Sequence, residues 1–290
     1  WIVQADGRRW GNITGGLKTG KNALVVGNID ANGALDFNCS RGPAADGRLK
    51  PDICAFGQGD WTLAPSEGYQ ISSGSSAAAP VVAGIAALLS QQYRQMHGTD
   101  PDFALIKSLL LNTAKDLGRP GPDFEYGFGA ADAFKALTAL QNQWYLSGSV
   151  GHGNTKTHTL QIPDGVKELK VLLYWHDAPG SPLAAKALVN DLDLEVTDAA
   201  GKRVLPLTLS SASHPDSLLR PAAPGADRLN NAEQVVLSLP LPGTYTLRVK
   251  GFQLPQSAQS YYLAYSFDRQ PLQWVFPVPG TALVPGETVK

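Results

Sequence analysis

No histidine precedes His97, and charge of either sign is sparse along the whole chain. Only 17% of residues are charged, and 24 Lys and Arg balance 25 Asp and Glu to a net charge of −1. Such a chain creates no field that would draw it to nucleic acid or to an anionic membrane. No run of about 18 apolar residues occurs, which excludes a membrane-spanning helix. Cysteine is limited to Cys39 and Cys54, neither with a histidine or further cysteine at metal-ligand spacing. That excludes a disulfide-built scaffold and a zinc site. Two buried free thiols are the favoured reading, and a Cys39–Cys54 disulfide is the alternative, since spacing alone does not show how close two Cα atoms come. Internal repeats and low-complexity tracts are absent. What the sequence has in quantity is glycine and proline, 30 and 21 in 290 residues, the mark of a loop-rich fold long enough for two cores.

The pattern changes along the chain. Up to about residue 143, short apolar strands alternate with helices. Residues 81–96 are apolar nearly all round (Val81, Val82, Ile85, Leu88, Leu89), which predicts a helix buried in a core, with Gly84 permitting close packing. A second helix is expected to start at Asp100-Pro101 and to present Leu105, Ile106, Leu109 and Leu110 on one face. A third is expected near Ala130–Leu140. From residue 144 the period becomes two. Strands are expected over 157–162, 169–175, 192–197, 235–239, 244–249 and 261–267, with turns at Asp198-Ala199-Ala200-Gly201 and Pro242-Gly243. Several short strands with almost no helix predict a β-sandwich or jelly roll. The organisation read from these shifts is an α/β segment at 1–143, an all-β unit at 144–268, and a linker opening a further β-module at 269–290.

Residues 71–90, ISSGSSAAAPVVAGIAALLS, carry the chemistry. Gly74-Ser75-Ser76 stands at the mouth of a long apolar helix, with Pro80 expected inside its first turn. A serine there has its own backbone N–H and the positive end of the helix dipole beside it, and both favour the oxyanion formed when a hydroxyl attacks a carbonyl. A bare Gly-Ser-Ser is more often a helix N-cap, so the flanking text decides.

That text resembles the subtilisin-like serine proteases, the subtilases. Gly74-Ser75-Ser76-Ala77-Ala78-Ala79-Pro80 is similar to their Gly-Thr-Ser-x-Ala-x-Pro motif, with Ser75 in the threonine position and Ser76 in that of the nucleophile. Lys21 to Gly27, Phe37-Asn38-Cys39-Ser40-Arg41-Gly42-Pro43, Asp46 to Asp52, Ala55-Phe56-Gly57 and Gly127 to Ala133 match further family segments in the family's order. The family's triad runs Asp, His, Ser. No segment like its aspartate or histidine motif precedes Ser76, and the five histidines (His97, His152, His158, His176, His214) all follow it. The expectation is therefore a C-terminal piece of a longer protease, beginning within a strand at Trp1-Ile2-Val3.

The resemblance also implies a second oxyanion donor from a segment that falls near Val3 to Gly7, where Asp6 is the stand-in. A carboxylate donates only when protonated, so four readings stay open: a protonated Asp6, Asn12 acting through another loop, weak activity, or an Asp-Gly turn displaced by an alignment gap. Residues 155–268 resemble the jelly-roll domain that follows the catalytic domain in some secreted subtilases, on Trp175 to Gly180, Leu188 to Leu194, Asn230 to Glu233 and Gly243-Thr244-Tyr245. Those domains bind calcium, which makes Asp177, Asp191 and Asp193, with Asn190, Asn231 or Glu233, a candidate structural calcium site. Arg41 and Lys50 are expected to anchor loops, and His176 to be structural. Asn12-Ile13-Thr14 and Asn38-Cys39-Ser40 match glycosylation sequons.

The function so implied is that of a secreted or cell-surface serine endopeptidase acting on polypeptides, with no nucleic-acid partner, completed by an N-terminal half that supplies the histidine and aspartate. The alternative is a catalytically inactive relative that binds a partner through its sandwich.

Overall fold

The computed structural model describes residues 2–3, 9–182, 184–212, 214–255 and 258–269. Asp6 and residues 270–290, including the expected opening of a further module, lie outside the described residues.

The first part contains β1 (Ile2–Val3), β2 (Arg9–Trp10), β3 (Val26–Ile29), β4 (Ile53–Phe56), β5 (Gln58–Leu63), β6 (Tyr69–Ser73), α1 (Ser75–His97), α2 (Phe103–Thr113) and α3 (Ala133–Gln141). β3 and β4 form a two-stranded parallel pair, Val26 opposite Ile53. β5 and β6 form a hairpin in which Trp61 opposes Ile71 and Leu63 opposes Tyr69. Residues two apart on a strand share a face, so these four side chains form one apolar ladder. Each is between 64% and 74% exposed.

Two helix expectations are corrected. α2 starts at Phe103 rather than at Pro101, because the Asp102 carboxylate accepts from the Ala104 N–H and caps the helix there. α1 spans the expected segment but is not buried all round. Ala78, Val82 and Leu89 are its buried residues, while Val81 and Leu88 are 41% and 62% exposed and, among the described residues, nothing packs on Gly84. α2, in contrast, is buried from Ala104 through Thr113.

The second part is a β-sandwich of β7 (Tyr145–Val150), β8 (Thr155–Ile162), β9 (Val166–Tyr174), β10 (Asp191–Thr197), β11 (Arg203–Val204), β12 (Leu207–Thr208), a short α4 (Pro215–Leu218), β13 (Ala223–Pro224), β14 (Ala232–Ser238), β15 (Gly243–Gln253) and β16 (Gln259–Arg269). One antiparallel sheet runs β11-β10-β15-β8 and the other β14-β9-β16-β7. Their inner faces share a core that includes Leu192, Leu194, Val249, Val171, Leu173, Trp175 and Leu263. The other face of β9 and β16, through Leu172, Tyr174 and Ala264, joins the core of the first part. A strand buried on both faces reads as an unbroken apolar run, as Val171-Leu172-Leu173-Tyr174-Trp175 does.

Charge crosses this junction as well. The Lys21 ammonium donates to Asp177 Oδ2 at 2.5 Å and to the carbonyls of Ala178 and Ala187 at 2.5 and 2.6 Å. Asn22 exchanges bonds with the Asp177 backbone in both directions. Behind it, buried Lys107 of α2 donates to the carbonyls of Lys21 and Ala23, lies 3.2 Å from Asp52 Oδ1 and stands 5.1 Å over the Tyr174 ring. Burial lowers the Lys107 pKa to about 8, although the Asp52 carboxylate opposes the shift. Burial also acts to raise the Asp52 pKa, but Lys107 and Lys50 outweigh it and the net direction is down.

Removing one partner of a buried pair strands the other charge and costs about 3–5 kcal/mol. Asp177→Ala is therefore expected to lower the urea-unfolding free energy by about that amount, and an unchanged midpoint would show that Lys21 finds water instead. Lys107 contributes a pH slope of known sign. Between about 8 and the ordinary lysine value of 10.5, the unfolded chain binds a proton that the folded chain has released, so stability from this group rises with pH across that window. Urea unfolding in that range should show a rise that Lys107→Met lacks.

Candidate active site

The turn ahead of α1 is built around glycine. Gly74 has φ of 105°, in the region that side chains avoid, and its N–H donates to the Gly57 carbonyl at 2.8 Å. The Gly74 carbonyl then accepts the Ala77 and Ala78 N–H groups at 2.9 and 3.1 Å, which closes the first helical turn. Ser75 and Ser76 are the first two helical residues, and both are exposed. Ser76 thus stands among the amides at the positive end of a 23-residue helix. Among the described residues its hydroxyl has no hydrogen-bond partner. Pro80 is the sixth helical residue, one turn later than expected, and lacking an N–H it leaves the Ser76 carbonyl without its intrahelical donor.

Gly57 is the residue that sequence reasoning passed over. A Cβ there would lie 2.6 Å from the Ala78 nitrogen, 2.8 Å from the Gly74 carbonyl oxygen and 2.7 Å from Asn28 Oδ1. Only glycine lets the end of β4 come this close to the serine turn. The signal in the sequence was Ala55-Phe56-Gly57 itself. Asn28, buried on β3, donates to Asp36 Oδ2 at 3.0 Å, and Gln58 joins the same carboxylate at 3.1 Å.

The other expected residues divide clearly. Asn12 is committed to the loop at Arg41: its Oδ1 accepts the Arg41 N–H at 2.7 Å, and its own N–H donates to the Arg41 carbonyl. Arg41 reaches Glu125 and the Cys39 carbonyl, and Lys50 reaches Asp52 and the Ala23 carbonyl, as anchors. Cys39 and Cys54 are buried free thiols. Burial pushes both thiol pKa values up, Cys54 well above its usual range, so neither is a thiolate nucleophile. His97 sits at the far end of α1, about 30 Å from Ser76 at 1.5 Å of rise per residue. His176 is exposed and engages Gln259 through its backbone carbonyl.

The residues of the calcium expectation meet several different partners. Asp177 accepts from Lys21 and from the Val189 and Asn190 N–H groups. Asp191 and Asp193 instead face Arg228. Asn231 donates to Asn22 and the Trp175 carbonyl, and Glu233 accepts the Leu194 N–H. Ammonium and guanidinium groups thus answer the charge that a calcium ion would answer. Among the described residues no three His, Cys, Asp or Glu are grouped to hold a metal ion, and none of their helices is long and apolar enough to cross a membrane.

Comparison with known proteins bears on the segment that holds Ser76. The chain is 27% identical over 258 residues to the serine protease/ABC transporter B family protein tagA of Dictyostelium discoideum, covering 76% of this chain and 14% of that protein. It is 35% identical over 128 residues to the membrane-bound transcription factor site-1 protease of Mus musculus, covering 42% of this chain and 12% of that protein. To the C5a peptidase of Streptococcus pyogenes it is 37% identical over 111 residues, covering 34% of this chain and 9% of that protein. The chain spans only 9% to 14% of the length of these relatives. Among solved structures, patellamide maturation protease PatA aligns with a TM-score of 0.37 and 27% identity over 43% of this chain and 45% of that one. Residues 8–129, which include Ser76 and the glycines that shape its turn, match the family model described as the Subtilase family.

Proposed function

We propose that this chain carries the nucleophile of a serine endopeptidase, with Ser76 attacking the carbonyl of a polypeptide substrate. The observation that carries the reading is the placement of Ser76: exposed, with an unpartnered hydroxyl, at the N-terminus of α1 inside the segment that matches the Subtilase family. Its own N–H is one oxyanion donor, and the segment around Asp6 is the candidate for the second. Loss of one such donor costs about 3 kcal/mol of transition-state stabilisation.

A serine hydroxyl is a weak nucleophile until a base takes its proton and a third group holds the base. No described histidine hydrogen-bonds Ser76. The reading therefore requires histidine and aspartate from an N-terminal half of the catalytic domain, seated against the exposed apolar face of α1. Val81, which is 41% exposed, and Phe56 border an open depression of about 520 Å³ there. The β-sandwich, in this reading a jelly roll, braces the catalytic unit through Lys21 and Asp177, and the protein is exported. Ser75, in the position of the family's threonine, favours a second reading, a non-catalytic relative that binds a partner through its sandwich.

Fluorophosphonate labelling separates the two. The 290-residue chain is expected to stay unlabelled by itself and to label once the residues supplying histidine and aspartate are restored, with Ser76→Ala abolishing the signal. A restored, folded protein that does not label establishes the binding module. In the restored protein, Gly57→Ala should displace the serine turn and slow labelling roughly a hundredfold, the scale of a misplaced reacting group, with the circular dichroism spectrum unchanged. Labelling at the parent rate would show that the turn does not depend on Gly57.

A further inference from the structure

At the junction of the two parts lies a small cavity, walled mostly by buried side chains, that the peptidase reading does not use. Its volume is about 20 Å³, room for one water-sized molecule or ion. Lys21, Arg48, Lys50 and Lys107 all line it, and none is more than 9% exposed. Among the described residues of its lining, Asp52 is the one carboxylate. Asp177 and Asp46, which stand outside the lining, answer Lys21 and Arg48. Asp52 is left to answer both Lys50, at 2.6 Å, and Lys107, at 3.2 Å. Asp227 is spent on the Leu229 and Asn230 N–H groups and on the Asn230 amide. Four buried cations thus meet three carboxylates, and a buried charge without a counter-charge is costly.

Hydrogen-bond donors are in surplus as well. Arg48 donates through Nε to Asp46 at 2.6 Å and through Nη2 to the Thr19 carbonyl at 2.7 Å. Both partners lie outside the lining, which leaves Nη1 as the end of the guanidinium turned to the cavity, and it has no partner among the described residues. Lys50 has three N–H bonds for two acceptors, Asp52 and the Ala23 carbonyl. The fully buried Tyr174 hydroxyl makes no hydrogen bond, although Asn231 approaches it. Asp52 has committed Oδ1 to Lys107 and Oδ2 to Lys50 and the Val25 N–H. A water molecule would bring two more donors to a wall short of acceptors, whereas a halide ion only accepts.

We infer that this cavity binds a single halide ion, chloride in ordinary solution, held by Arg48 Nη1, the Lys50 ammonium and the Tyr174 hydroxyl. Its one negative charge balances the fourth cation, and a polyatomic anion such as sulfate or phosphate exceeds the space. Lys21, Arg48 and Lys50 come from the first part, and Tyr174, Asn230 and Asn231 from the second. The ion is therefore a component of the junction, and the inference is independent of any activity at Ser76.

Urea unfolding of the chain tests it, near neutral pH where Lys107 still holds its proton, with chloride exchanged for gluconate at fixed ionic strength. Above the dissociation constant, a tenfold rise in chloride should raise the folding equilibrium constant about tenfold. In Arg48→Met the same exchange should change it less than about twofold. Tyr174→Phe removes one donor and no charge, and should weaken chloride binding about tenfold, the scale of one hydrogen bond. Crystals grown in sodium bromide should show an anomalous peak beside Arg48 Nη1. Indifference of the parent chain to the exchange, a chloride response that both variants keep unchanged, or water density with no bromide peak would overturn the inference. A bromide peak without a chloride response in solution would mark an adventitious ion only, and would overturn it too.

Discussion

The fold hangs on placing the Lys21 ammonium in a pocket of oxygens that belongs to the other half of the molecule. A buried ammonium is tolerated only where charge and hydrogen bonds replace its lost water. Asp177 and the carbonyls of Ala178 and Ala187 provide both. Because Lys21 and its neighbours also accept Lys107 through their backbone carbonyls, the segment before β3 is held from two sides. β3 in turn carries Asn28 and pairs with β4, whose end touches the serine turn. The sandwich is thereby connected, through one short stretch of chain, to the position of Ser76. The apolar contact of α2 with β9 and β16 supplies area, and the ammonium groups supply registration, since an apolar face can slide where a chelated cation cannot.

At the serine, backbone conformation is the main determinant. Gly74 takes a dihedral closed to other residues, Gly57 permits a contact that a single methyl group would block, and Pro80 removes one amide from the second helical turn. Together they set the direction of the first amides of a long helix around Ser76, whose hydroxyl has no hydrogen-bond partner among the described residues.

Much of this was legible in the sequence. The helix that follows Gly74, the change of period near residue 144 and most strands were visible because they rest on local spacing. β7 and the β5–β6 hairpin were missed because Gly148 and Gly59 interrupt their alternation, and a strand weakened by glycine does not stand out. α1 was read as fully buried because its composition is apolar on every side. Composition reports what a helix can bury, and the described fold covers one face of it. The partners of the sandwich carboxylates were hidden for a different reason. Asp177, Asp191 and Asp193 have the right chemistry for a cation; Lys186 meets Asp191 from five positions away, but Lys21 and Arg228 come from 156 and 35 or more positions along the chain, beyond any reading of spacing. Lys107 had a local signal, a lone charge among apolar helix positions, which is how a paired interior lysine looks in sequence.

The β5–β6 hairpin bears on how the molecule behaves in company. Trp61, Leu63, Tyr69 and Ile71 stand on one face of a two-stranded ribbon whose outer backbone edges are unpaired in its sheet. No lysine or arginine occurs between Lys50 and Arg94, and the whole chain carries a net charge of only −1. Natural sheets blunt such edges with charge, proline or a covering element, and near-neutral proteins have little long-range repulsion to keep copies apart. In concentrated solution, colloidal attraction between ribbons would set the solubility ceiling well before the interior began to unfold.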